Sequence, residues 1–151
     1  MKKKFIIVLI TISLIAFVII TSFNETTYNE SKKSRINRNS KIEDIVFDDN
    51  KVNIYFFWGN GCPHCEDQFQ FFERINDEYS KYYNLYCFEV WYNDSNVYLM
   101  EKLLDKLEVK VTGIPITIIG EKHFSGFGSS MEEDFKKAII EQHNNNFDVY
   151  R

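Results

Sequence analysis

Tyr55-Phe56-Phe57-Trp58-Gly59-Asn60-Gly61-Cys62-Pro63-His64-Cys65 is the stretch from which the rest of the chain can be read. It completes a mainly apolar, aromatic run, Val52 to Trp58, which is apolar on both faces, as a buried strand should be. Gly59-Asn60-Gly61 breaks the run. Two cysteines spaced by two residues follow, where Phe69, Phe71, Phe72, Ile75 and Tyr79 begin an amphipathic helical pattern. A strand, a turn and a Cys-x-x-Cys opening a helix form the arrangement of a thiol–disulfide redox site. Two thiols in the first helical turn can close a small disulfide ring. Cys62 then lies beside unpaired backbone N–H groups at the positive end of the helix dipole, which favours the nucleophilic thiolate.

Working back toward the start, Ile42, Ile45, Val46 and Phe47 make a short apolar patch, a helical turn or a short strand, closed by Asp48-Asp49-Asn50. Before it, residues 24–41 are a polar linker in which Lys32, Lys33, Arg35 and Arg38 cluster. Its composition cannot build a core and reads as a solvated tether, with contact to anionic headgroups or cell wall as the alternative. Residues 1–23 read as a targeting element. Lys2, Lys3 and Lys4 precede an uncharged run from Phe5 to Phe23, 19 residues long, close to the ~20 that span a bilayer as a helix. A cleaved signal peptide is the competing reading. The length of the run and the lack of a small-x-small site favour an uncleaved signal-anchor. The lysines place the N-terminus in the cytoplasm and the rest outside, where disulfides persist. The expectation is a single-pass cell-membrane protein with an extracytoplasmic domain over 42–151.

Working forward, the active helix runs from Pro63 to about Tyr82, with Pro63 in the first turn where a missing N–H costs little. Leu85 to Tyr92 is the next strand, and Asn93-Asp94-Ser95 is turn and N-cap chemistry. Val97, Leu99, Met100, Leu103, Leu104 and Leu107 recur at helical spacing. Strands at Ile116–Ile119 and about His123–Phe127 are joined at Gly120-Glu121. Ser129 or Ser130 caps a last helix with Met131, Phe135, Ala138, Ile139 and Ile140 on its apolar face, and the tail frays from Asn144.

The charge balance excludes one function class. Lys2, Lys3 and Lys4 account for three of the 18 basic residues, leaving 15 against 22 acidic ones, which argues against nucleic acid as the partner.

These landmarks resemble the thioredoxin superfamily. Cys62-Pro63-His64-Cys65 matches the active-site dipeptide of the DsbA-type oxidases, and Thr112-Gly113-Ile114-Pro115 followed by Ile116-Thr117-Ile118-Ile119 resembles the family's cis-proline loop and following strand. The likeness covers about residues 42–142. It implies an α/β thioredoxin-like fold in βαβαββα order, a central mixed sheet flanked by helices. One helix of ordinary length lies between Tyr92 and Pro115, so the helical insertion of the DsbA type is missing.

The resemblance also implies roles. Cys62 is the exposed nucleophile, Cys65 resolves the mixed disulfide, and His64 tunes the pair by stabilising the thiolate and so the reduced form. Pro115, in cis, sets its loop against Cys62 and frees Ile114 to pair with an extended substrate strand. Pro63 and Trp58 complete the expected site. Ile114 is closer to thioredoxin than to DsbA, where Val is usual. The family's acidic residue, six positions before the first cysteine, is replaced by Phe56. Glu66 is a candidate substitute, read more simply as a solvated helix charge. Cys87, inside an apolar strand, reads as an inert core residue. His123 and His143 are not expected to be ligands. No metal and no cofactor are expected, since a zinc site wants four ligands and no second Cys-x-x-Cys exists.

The function expected is a membrane-anchored, extracytoplasmic thiol–disulfide oxidoreductase that oxidises the thiols of secreted proteins. A membrane redox partner, a quinone-linked oxidase or an electron-donating transporter, would recycle it. The alternatives are the reverse direction, a reductase or isomerase of the cytochrome c maturation or bacteriocin-folding type, and a non-enzymatic module that holds an extended peptide.

Overall fold

A computed structural model describes residues 36–145 and 147–151. The proposed signal-anchor over 1–23 and the linker as far as residue 35 lie outside the described residues. Among the described residues, no helix is long and apolar enough to cross a membrane.

Seven main elements follow one another: β1 (Val52–Trp58), α1 (Pro63–Tyr79), β2 (Tyr83–Glu89), α2 (Asp94–Lys106), β3 (Ile116–Ile119), β4 (Lys122–Ser125) and α3 (Glu132–Gln142). The four strands form one sheet in the order β2-β1-β3-β4. β1 runs parallel to β2, from Val52 opposite Tyr83 to Trp58 opposite Glu89. β3 runs antiparallel to β1, with Phe56 opposite Thr117, and β4 is antiparallel to β3. The parallel pair requires a crossover, which α1 supplies. This is the α/β thioredoxin-like arrangement.

The period-2 alternation of β1 explains both layers. Val52, Ile54 and Phe56 point to one face and pack with Phe69, Phe71, Phe72 and Ile75 of α1 and Phe135, Ala138 and Ile139 of α3. Tyr55 and Phe57 point to the other and pack with Phe88, Leu99, Leu103 and Leu104. The first layer is built largely from rings: Phe56 meets Phe69 edge-on at 4.8 Å between centroids, and Phe135 stacks on Phe124 at 4.1 Å. Each fully buried Phe contributes on the order of 2–3 kcal/mol. Both cysteines of the motif belong to this aromatic layer.

Several boundaries differ from the sequence expectation. The strand expected from Leu85 begins at Tyr83 and stops at Glu89, because the Glu89 carboxylate turns back to accept from the backbone N–H groups of Trp91 and Tyr92. Asn93 is the N-cap of α2, its side chain accepting from Asn96 N at 3.2 Å. The last helix is not capped by a serine side chain: Ser129–Met131 form a 3-10 turn that runs into it. Ile140 is exposed rather than part of the buried face. Of the apolar patch before β1, only Ile42 lies in a 3-10 turn, Ile42–Asp44, and Val46 and Phe47 are exposed.

The folded unit also starts earlier than Ile42 and holds its tail more firmly than expected. Ser40 N donates to Cys87 O, and Cys87 N donates to Ser40 Oγ, both at 3.0 Å, so Ser40 lies buried against the outer edge of β2, while Asn37, Asn39 and Lys41 stay exposed. At the other end, Asp148 accepts from the Tyr55 hydroxyl at 2.8 Å and from Asn53 Nδ2 at 2.8 Å, and Val149 is buried. Buried donors on β1 need an acceptor, and the tail supplies it.

Candidate functional site

The site forms where β1 ends. Gly59 to Cys62 make a tight turn, with Cys62 N donating to Gly59 O at 3.0 Å and Gly61 in the left-handed region at φ 92°. That conformation is open to glycine at no steric cost. Gly59 is required for another reason: a Cβ there would run into the Trp91 ring and Ile114 Cδ1. The Glu89 carboxylate, besides holding Trp91 and Tyr92, accepts from Asn60 N at 3.2 Å, so one side chain joins the cysteine turn to the loop after β2.

Cys62 is the N-cap of α1. Its sulfur accepts from Cys65 N at 3.2 Å, its carbonyl accepts from Glu66 N at 3.1 Å, and Pro63 occupies the first helical position. The two cysteines are joined as a disulfide, with their Cα atoms 5.3 Å apart. Cys62, expected as the exposed nucleophile, is itself nearly enclosed, with 8% of the residue accessible against 1% for Cys65, so it is the less enclosed of the two.

An open groove runs over this pair, lined by Trp58, Gly59, Cys62, Pro63, Cys65, Glu66, Phe69 and Arg38. Of the residues expected from the sequence, Trp58, Cys62, Pro63 and Cys65 therefore come together. Ile114 joins them across Gly59. Pro115 is buried, the Ile114–Pro115 peptide is cis, and Pro115 O accepts from Gly126 N at 2.7 Å. The ladder with β1 starts only at Ile116, so Ile114 lies outside it. His64 is exposed and is not among the residues lining the groove.

Sequence reasoning misses Arg38 and Glu89. Composition places Arg38 in a solvated basic cluster. Its guanidinium instead pairs in bidentate fashion with Glu66, Nη1 to Oε2 at 2.7 Å and Nη2 to Oε1 at 2.9 Å, and lies 4.2 Å over the Phe69 ring. Its carbonyl accepts from the Trp58 indole at 3.0 Å. The hydrogen bond from Arg38 holds the Glu66 carboxyl below its ordinary range, ahead of a smaller opposing effect of burial. Glu66 is thus an exposed helix charge, as expected, but held in an ion pair with Arg38. Phe56, at the position of the family's acid, is fully buried between Phe69 and Phe72. Cys87 is fully buried, and burial pushes its thiol far above the ordinary range, which keeps it protonated and inert. Among the described residues, no three His, Cys, Asp or Glu side chains converge on one point.

No protein-family model and no curated protein matches the chain. Solved structures do. The solution structure of a thioredoxin-like protein from Clostridium perfringens aligns with a TM-score of 0.52 at 14% identity, over 77% of this chain and 91% of that one. Glutaredoxin 1 from Francisella tularensis, complexed with cacodylate, aligns with a TM-score of 0.40 at 20% identity, over 59% of this chain and 98% of that one. A glutaredoxin from Archaeoglobus fulgidus gives 0.39 at 22%, over 60% and 86%. With the sheet order and the crossover above, the Clostridium alignment establishes the fold as thioredoxin-like.

Proposed function

We propose that the chain is a thiol–disulfide oxidoreductase working through the Cys62–Cys65 pair. One observation carries this reading: a bonded cysteine pair at the N-terminus of a helix lines an open groove, with the less enclosed cysteine first. In the oxidising direction, a substrate thiolate attacks Cys62 Sγ, the disulfide breaks, and Cys65 leaves and takes up a proton. A second substrate thiol, deprotonated, then attacks the mixed disulfide. The substrate leaves oxidised by two electrons and the pair is left reduced. The N-terminal N–H groups of α1 favour the anion that Cys62 carries on release. Ile114, outside the ladder, offers its backbone to an extended substrate, and Trp58 and Pro63 flank the attacked sulfur.

The substrates proposed are thiols of secreted proteins, with the domain held outside the cell by the N-terminal apolar run and recycled by a membrane redox partner. What supports this is the lysine-led hydrophobic run and the preference of disulfides for oxidising compartments. Equilibration with glutathione tests the direction. A potential well above about −200 mV fits oxidation, and one near about −270 mV would turn the reading to a reductase. Offered a disulfide substrate, Cys65→Ser should accumulate a Cys62 mixed disulfide, because Cys62 attacks one substrate sulfur, the other leaves as a thiol, and no second cysteine resolves the bond; Cys62→Ser should abolish turnover. Failure of the Cys65 variant to trap substrate would sink the mechanism.

A further inference from the structure

Gln68 is wholly buried, and its Oε1 has no hydrogen-bond partner. Such an orphan is costly and calls for a physical reason. The other end of the amide is anchored: Nε2 donates to Thr117 Oγ1 at 2.6 Å. Thr117 stands opposite Phe56 in the ladder, on the sheet face that packs against α1. Phe56, Phe69 and Phe72, which belong to the core on this face, offer no donor. Cys65 lies three residues before Gln68 on the same buried face of α1, the spacing at which helical side chains are neighbours. Its sulfur has no proton to give while bonded to Cys62. In the dithiol it has one.

We propose that Gln68 is a positioning residue whose Oε1 accepts the Cys65 thiol proton in the reduced form, an acceptor left empty in the disulfide and filled by reduction. The inference rests on the reading of Cys62–Cys65 as a redox pair. When substrate thiolate attacks Cys62, the S–S bond breaks and Cys65 departs as thiolate. The proton it takes up comes through water, from the substrate's second thiol, and the new S–H bond then points at Gln68. Two electrons pass from the substrate dithiol to the disulfide. Because the acceptor is satisfied in one state only, Gln68 biases the pair toward the dithiol, which makes the disulfide a stronger oxidant.

Gln68→Met keeps the length of the side chain and removes the acceptor. Equilibrated with glutathione, the variant should favour the disulfide about tenfold more than the parent, equivalent to about 30 mV. A ratio unchanged within twofold overturns the proposal. The full chain carrying Cys62→Ala isolates the contact: infrared spectra with and without Gln68→Met should differ by an upward shift of one S–H band, while the Cys87 band cancels. An unchanged band overturns it too. Should Gln68→Met not fold, the parent chain still decides. Its glutamines are Gln68, Gln70 and Gln142, and with 13C at their side-chain carbonyls one resonance, Gln68, should move on reduction. No movement refutes the contact. Absence of turnover with dithiol substrates, with the band shift intact, would instead remove the enzymatic reading and leave the contact standing.

Discussion

His64 is the one titratable side chain between the two cysteines. It lies in the first turn of α1, exposed, one residue before the buried Cys65. Its expected role is to stabilise a thiolate on Cys62, together with the N–H groups of the helix terminus. His64→Ala should therefore raise the Cys62 pKa and destabilise the dithiol. The expected shift is about 30 mV toward a more reducing potential, equal to about 1.4 kcal/mol for this two-electron couple. Thiolate absorbance against pH, followed beside glutathione equilibration, checks both links. If neither quantity moves, His64 has no part in setting the potential.

At the scale of elements, the segment before β1 behaves as a strap. It lies along β2 through Ser40, takes the Trp58 indole on its backbone, and reaches Glu66 and Phe69 on α1 through Arg38. Its ion pair is partly exposed, with 34% and 49% of the two side chains accessible, so its stability contribution is modest. Its pH dependence has a definite sign. The Glu66 carboxyl titrates below its unfolded value because Arg38 stabilises the anion. The contribution is present above the ordinary carboxylate pKa of about 4.3 and is lost as pH falls through the lower folded value. The Trp58 indole N–H resonance should accordingly shift as pH drops below about 4. Glu66→Gln should abolish that titration. If parent and variant titrate alike, the pair does not hold the strap.

At the scale of the molecule, the tail closes the sheet face opposite the redox layer. Asp148 is the shared acceptor for Asn53 and Tyr55 of β1, and Lys106 of α2 donates to Val149 O at 3.0 Å. Asp148→Ala leaves the buried Tyr55 hydroxyl without its carboxylate, at a cost of about 2 kcal/mol. Urea denaturation should show that loss, with the glutathione equilibrium unchanged because the cysteines belong to the other layer. An unchanged midpoint would mean that Asp148 adds nothing to the fold.

Much of the fold and of the site is legible in the order of residues alone. The strand–turn–Cys-x-x-Cys–helix order depends on hydrophobic period and on glycine, both local properties, and it places β1, α1 and the pair correctly. The polar interruptions of the apolar pattern are visible too: Gln68 falls at i+3 from Cys65 on the face of Phe69 and Phe72, and Thr117 interrupts a run of isoleucines. What the sequence does not say is which distant groups these residues meet. Arg38 looks like any solvated arginine until the chain folds it onto Glu66, 28 positions away. Asp148 looks like part of a fraying end until it meets Tyr55, 93 positions away. Periodicity reports the face a side chain turns to the core. Pairing between polar groups across such separations is decided only by how strands and helices pack, and it is there that the orphaned Gln68 Oε1 arises.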